Sequence, residues 1–252
     1  MKPNKLKIAE KIFYRNLDCK FLFEQNPHIG LCVSGGSDSM ALVMLMNGWI
    51  KKKYGKITIF HFNHGLREES DFESKFVKKF SKNLGFECKV IKWKNNKPRS
   101  AIMETARNFR YSKIIEECKK KQILHLMTAH HYDDSLETFF MRSLRKKKYF
   151  GLSSIPFKRI HESLQIIRPL LNFKKRKLEE ICKFYKIDWI NDSSNFNLFY
   201  ERPRIREKLK NFSEKKLDFL DKQQKKNKLL NENIEKKVAT FFVSNLKYYE
   251  NG

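Results

Sequence analysis

Short apolar runs alternate along this chain with longer stretches whose apolar residues recur every three or four positions. HIGLCV (28–33), ITIFHF (57–62), ECKVIKW (87–93) and ILHLMTA (123–129) read as strands. Between them the spacing predicts helices from Asp38 to about Ile50, Asp71 to Leu84, Ala101 to Lys121 and Asp133 to Leu144. Residues 1–27 read as a further helix leading to Pro27. Strands separated by one helix each indicate βαβ units and a buried parallel sheet. Ligands of such sheets sit at the carboxyl ends of the strands, where loops enter helices. Beyond residue 150 the pattern loosens. GLSSIPFKRI is loop-like, LQIIRPLL (164–171) is compatible with an edge strand, and FKKRKLEEICKFYKI (173–187) predicts an amphipathic helix. From Ile205 to Leu246 the chain reads as two or three Lys-rich helices.

Composition narrows the class. No apolar run reaches the roughly 18 residues a membrane span needs. The first residues, MKPNKLKIAEKIFYRN, carry Lys and Glu where a secretory segment is apolar. Cys19, Cys32, Cys88, Cys118 and Cys182 form no C-x-x-C pair, which argues against disulfide scaffolds and zinc ribbons. A cytoplasmic protein without a membrane partner is expected. With 54 Lys+Arg against 28 Asp+Glu the formal net charge is 54 − 28 = +26, which favours a polyanionic partner such as nucleic acid. A Lys-, Asn-, Phe- and Ile-rich composition also fits mutational bias, so charge alone names no chemistry.

The loop after the first strand does name one. In SGGSDS (34–39), Gly35 and Gly36 let the backbone approach a ligand closely. Ser34, Ser37, Ser39 and the amides at the helix start offer many donors to a phosphate. There is no G-x-x-x-x-G-K-[ST], so this is not a Walker A loop. Asp38 suits an anion cradle as a carboxylate holding Mg²⁺ against a triphosphate. A plain Gly-Ser turn with an Asp cap is the blander alternative.

SGGxDS after a first strand resembles the signature of the PP-loop, or N-type ATP pyrophosphatase, superfamily. HFNHGLR (61–67), ETARNFRY (104–111), TAHHYDDSLET (128–138), RPLL (168–171), WINDSSN (189–195) and RPRIR (202–206) resemble, in order and spacing, the tRNA(Ile)-lysidine synthetases. The resemblance covers residues 28–206. It implies an α/β, parallel-sheet, Rossmann-like PP-loop ATPase domain over 1–204 and a small helical extension over 205–252. It also implies ATP bound at Ser34, Gly35, Gly36, Ser37, Asp38 and Ser39. The implied partners are free L-lysine and the isoleucine tRNA with a CAU anticodon, whose wobble cytidine becomes lysidine through an adenylated base. AMP and pyrophosphate are released, and codon reading changes from AUG to AUA.

His61, His64 and Arg67 should line one crevice. Two His without a third soft ligand argue against zinc, and His61 is expected at the adenine and ribose. Glu104, Arg107 and Arg110 share a helix face. Glu104–Arg107 reads equally as a salt-bridge stripe, whereas the Arg110 fork suits triphosphate oxygens or developing charge. Asp133, Asp134 and Glu137 form an acidic face, which the helix dipole alone would favour. The resemblance singles out Asp134 and Glu137 for Mg²⁺ (Asp134, with Asp38) or for the lysine ammonium and its proton. Arg142, Arg145, Arg202 and Arg206 are candidate RNA contacts. Lys146 and Lys148 stand where the family usually has glycines, with Gly151-Leu152 kept, and Pro203 stands where Asn is common. Family members commonly carry a further C-terminal region that helps grip the tRNA. The basic charge would have to compensate for it here, or the tRNA would be held less extensively. The rivals are a tRNA thiolase, an amide ligase and an RNA-binding protein without catalysis.

Overall fold

The computed structural model describes residues 3–63, 65, 70–93, 102–145, 152, 154–191 and 198–245. Among the residues singled out above, His64, Arg67, Lys146, Lys148, Gly151, the stretch 192–195 and the side chain of Glu104 lie outside the described residues. In chain order the elements are α1 (Pro3–Lys20), β1 (His28–Cys32), α2 (Ser37–Lys52), β2 (Lys56–Asn63), α3 (Ser70–Asn83), β3 (Glu87–Lys92), α4 (Ile102–Lys120), β4 (His125–Met127), α5 (Tyr132–Leu144), β5 (Lys158–His161), β6 (Leu164–Ile167), α6 (Lys175–Phe184), α7 (Glu201–Lys210) and α8 (Glu214–Asn245). They fall into two compact units, 1–132 with 157–192, and 133–156 with 193–252.

The first unit is built on a six-stranded sheet of order β3-β2-β1-β4-β6-β5. Pairing is parallel from β3 through β6, as the alternation of strands and helices requires. Period-2 alternation sorts the side chains. Ile29, Leu31, Ile57, Ile59, Met127 and Ile167 join one apolar cluster with α1, α2 and α6. Phe60, Phe62, Leu126, Leu164 and Ile166 join another with Ile114, Ile115 and Cys118 of α4. Gly30 makes the centre of the sheet possible: a Cβ there would lie 2.9 Å from Phe60 Cε2 and 3.0 Å from Leu126 Cδ1.

The far side of the sheet differs from the sequence reading. LQIIRPLL contributes β6, which runs inside the sheet between β4 and β5 rather than at its edge. The edge strand is β5, from the segment read as loop. A tight turn at Glu162 (φ +53°) joins the two antiparallel strands. Lys-Arg-Ile-His leaves Ile160 64% exposed, so its pattern carries no buried face, while its charges suit an unpaired edge.

Strand order reverses between β1, which continues to β2 on one side, and β4, which pairs with β1 on the other. The crevice beyond the carboxyl ends of these two strands is where such sheets bind ligands.

The second unit is helical. Phe140 of α5, Ile205 and Leu209 of α7, and Phe212, Leu217 and Leu220 make its small core, and the buried Gln224 Nε2 of α8 donates to Ser135 Oγ at 2.7 Å. The 32 residues of α8 are continuous. Pro203 lies in the first turn of α7, where a backbone N–H has no intrahelical acceptor to lose. Among the described residues no helix is long and apolar enough to cross a membrane.

Candidate active site

The chain leaves β1 at Cys32, and Val33 N still bonds Phe60 O at 2.9 Å. It then turns through Ser34–Gly36 into α2. Gly35 has φ +96°, a conformation costly for any residue with a Cβ. A Cβ there would also sit 2.7 Å from Ile190 Cδ1, and Ile190 N donates to Gly35 O at 2.9 Å. The serines brace the turn. Gly36 N donates to Ser34 Oγ at 3.3 Å, Gly35 N to Ser39 Oγ at 3.2 Å, and Ser39 Oγ to Gly36 O at 2.9 Å. No side chain caps the N-terminus of α2, so its first-turn amides and the positive end of its dipole are available to an anion.

Asp38 stands in that first turn with a quarter-exposed side chain. Its Oδ2 faces His131 Nε2 at 3.5 Å and Lys175 Nζ at 3.6 Å. Ser37 Oγ donates to Oδ1 at 3.3 Å. Burial alone would raise the pKa of Asp38, but the hydrogen bond and charge of His131, then Lys175 and Ser37, outweigh it, and the carboxyl titrates below its ordinary range. A carboxylate held ionised suits a hard cation. No group of three or more His, Cys, Asp or Glu gathers as a metal cage among the described residues. A Mg²⁺ ion fits this donor set in its usual manner, with one protein carboxylate and the rest from phosphate and water.

His61, at the carboxyl end of β2, is 2% exposed. Its Nδ1 lies 2.9 Å from Val33 O. A carbonyl only accepts, so Nδ1 carries the proton and Nε2 is left as an acceptor, buried and without a partner among the described residues. Burial depresses the pKa of this His, against the bond to Val33, so the ring is neutral. Two residues on, Asn63 orders the turn after β2, with Oδ1 accepting from Gly65 N and Nδ2 donating to Asp71, both at 2.8 Å.

Arg110 and Arg107 of α4 lie on the ring of Tyr111, 5.4 and 5.8 Å from its centroid. Arg110 also faces the Cys32 thiol at the end of β1; burial pushes that thiol up to about 11, with Arg110 pulling the other way. The nearly buried Arg168 of RPLL bonds Tyr111, and burial lowers its pKa.

In the second unit α5 and α7 bring two carboxylates and two arginines together. Arg206 Nε donates to Glu137 Oε1 at 2.6 Å. Arg206 Nη2 lies 3.6 Å and Arg202 Nη1 4.0 Å from Asp134 Oδ1. Glu137 is 4% exposed, and its Oε2 has no partner among the described residues. Burial pushes its pKa up; Arg206 opposes, and the charge of Asp134 adds to the rise. Arg142 is half-buried on α5, while the exposed Arg145 pairs with Glu201.

The sequence reading missed Lys175, Ile190 and Gln224. Lys175 hides in the cationic run Lys174–Lys177, and nothing local marks which member reaches Asp38. Ile190 lies within WINDSSN, the one trace of its role.

A family model described as a PP-loop domain matches residues 6–212. Among curated relatives, the chain is 37% identical over 198 residues to a tRNA(Ile)-lysidine synthase of Orientia tsutsugamushi (strain Boryong), covering 79% of this chain and 45% of that protein. It is 39% identical over 187 residues to one of Wolbachia pipientis wMel, covering 73% and 43%. The chain thus spans about half the length of the curated relatives it matches. Among solved structures, the U34-tRNA thiolase NcsA from Methanococcus maripaludis with its [4Fe-4S] cluster superposes with a TM-score of 0.74 at 14% identity, covering 90% of this chain and 78% of that one. At that identity it speaks for the fold alone. A glycine-turned, serine-braced helix start at the switch point of a parallel sheet is thus matched by a family model over most of the sequence, and the chain belongs to the PP-loop domain family.

Proposed function

We propose that this chain carries the ATP-dependent ligation of lysine to the wobble cytidine of the CAU-anticodon isoleucine tRNA, forming lysidine. The observation that carries the reading is its similarity, at 37 and 39% identity over most of its length, to proteins named tRNA(Ile)-lysidine synthase. The five cysteines are free and include no C-x-x-C, which separates it from a cluster-bearing thiolase. In this reading residues 1–204 hold the synthetase chemistry, and 205–252 add basic helical surface.

The Ser34–Ser39 turn and the amides of α2 bind the ATP phosphates, and His61 Nε2 accepts a hydrogen bond from the adenine amine or a ribose hydroxyl. Asp38 is the residue to hold Mg²⁺, which draws charge from the phosphates when bound. The base carbonyl oxygen attacks the α-phosphorus and pyrophosphate leaves. Arg110 offsets the charge that develops there. The ε-amine of lysine then attacks the activated carbon and AMP is expelled. That amine must be neutral to attack. Glu137, whose pKa burial raises and whose Oε2 is unengaged among the described residues, is suited in its ionised form to take its proton. Asp134, Arg202 and Arg206 fix that carboxylate and its surroundings, while Arg142 and Arg145 are assigned to the RNA.

The test is incubation of the chain with ATP, labelled lysine and bulk tRNA, followed by nucleoside analysis. Lysidine in the tRNA and AMP in solution, both dependent on lysine and tRNA together, are expected. AMP without labelled nucleoside, or tRNA binding without AMP, would overturn the reading.

A further inference from the structure

We propose that Lys175 is a phosphate ligand of the bound nucleotide, resting on Asp38 in the free protein and passing to the outer phosphates when Mg²⁺·ATP enters. The inference rests on the nucleotide-binding reading above and assigns a residue that the motifs do not contain.

Every donor of the Ser34–Ser39 turn is a neutral hydroxyl or amide, and the turn has no lysine of its own. Lys175 supplies a cation from elsewhere in the chain. The backbone of α6 is fixed against the turn. Leu178 and Ile181 are fully buried, and Cys182 Sγ donates to Ser37 O at 3.2 Å. The Lys175 side chain is 49% exposed and meets Asp38 Oδ2 at 3.6 Å, beyond a normal hydrogen bond. A flexible four-carbon stem on a fixed helix can follow a charge over several ångströms. His131, the other cation-forming group on the same oxygen, is 3% exposed and cannot. The neighbouring cations are turned elsewhere. Lys174 lies over the Tyr132 ring at 5.8 Å, while Arg176 and Lys177 lie 3.7 and 3.6 Å from Glu180. A carboxylate that accepts Mg²⁺ gives up its ammonium neighbour, and the phosphates on that metal are then the nearest strong acceptors for Nζ.

The full chain and its K175M and K175R forms decide the matter by calorimetric titration with Mg²⁺·ATP, pyrophosphate and AMP. K175M should bind ATP and pyrophosphate about tenfold or more weakly, AMP should be unaffected, and K175R should recover most of the loss. In the wild type, acetylation of Lys175 by acetic anhydride, followed by mass spectrometry, should fall several-fold with Mg²⁺·ATP and not with AMP. That measurement stands even if K175M does not fold. If the wild type binds no nucleotide, the nucleotide-binding reading fails and the inference falls with it. If the wild type binds while K175M binds equally well, or ATP leaves Lys175 acetylation unchanged, the role of Lys175 alone is overturned.

Discussion

Arg206 Nε donates to Glu137 Oε1 at 2.6 Å and leaves the second oxygen of the same carboxylate buried with no partner among the described residues. One half of the group is anchored and the other is bare. Burial raises the pKa above the ordinary 4.5 in spite of Arg206, so the ionised form is the disfavoured one. The sign follows: against Glu137→Gln, the wild type is relatively most stable below its unfolded pKa and loses that advantage as pH rises through the raised value. Melting of both proteins across pH 4 to 8 checks this, and a wild-type stability that rises relative to Glu137→Gln as pH increases contradicts it.

In catalysis the same group works in the other direction, since only ionised Glu137 can accept a proton. Lysine ligation should rise with pH through an inflection above the normal glutamate range. Glu137→Gln should abolish that inflection and lower the ligation rate by about 10²–10⁴-fold, while lysine-independent pyrophosphate release persists. Single-turnover assays of both steps distinguish them.

Arg206→Ala strips the partner from a buried carboxylate. A destabilisation of about 1.5–3 kcal/mol is expected, and Glu137→Gln in the same chain should recover part of it, because a neutral amide tolerates the site better. Urea unfolding of the two single variants and the double variant gives the coupling; strict additivity would show that the pair is not a unit.

Gly35→Ala meets two separate obstacles, the φ of +96° and a contact 2.7 Å from Ile190 Cδ1. Backbone strain of this kind costs about 1–3 kcal/mol. Ile190→Ala in the same chain removes the contact but not the strain, so ATP affinity should stay reduced. Full recovery of affinity in the double variant would mean that packing alone is at stake.

Asp38→Ala should bind tRNA as the wild type does and fail to release pyrophosphate. Gel-shift and pyrophosphate assays test this, and undiminished turnover would contradict the role of Asp38. Its depressed pKa also makes the stability it contributes present above its ordinary 3.8 and lost as pH falls through the lowered value. Asp38→Asn should therefore melt closest to the wild type in acid.

Local pattern carried most of the first unit. β2 and β4 are legible as short apolar runs buried on both faces, and the helices between strands as longer mixed stretches separating them. β5 escaped because a charged edge strand buries almost nothing, and the turn at Glu162 lacks the Asn-Gly signature of a tight hairpin. Asp38, His61, Asp134 and Glu137 could be nominated because residue type and the ends of elements restrict what they do. Their partners could not. Lys175 meets Asp38 across 137 residues, Arg206 meets Glu137 across 69 and Gln224 meets Ser135 across 89. Each belongs to a surface-like polar pattern that gives no sign of which member turns inward.

Ile190 and Cys182, through their bonds to Gly35 and Ser37, impose an order on biosynthesis. The ribosome makes the serine-glycine segment early, yet the wall against which it is shaped is added some 150 residues later. A nascent polypeptide halted ahead of Cys182 would hold every atom of the turn but lack the contacts of Cys182 and Ile190. In the nucleotide-binding reading, the pocket would be complete only once this late segment has been made.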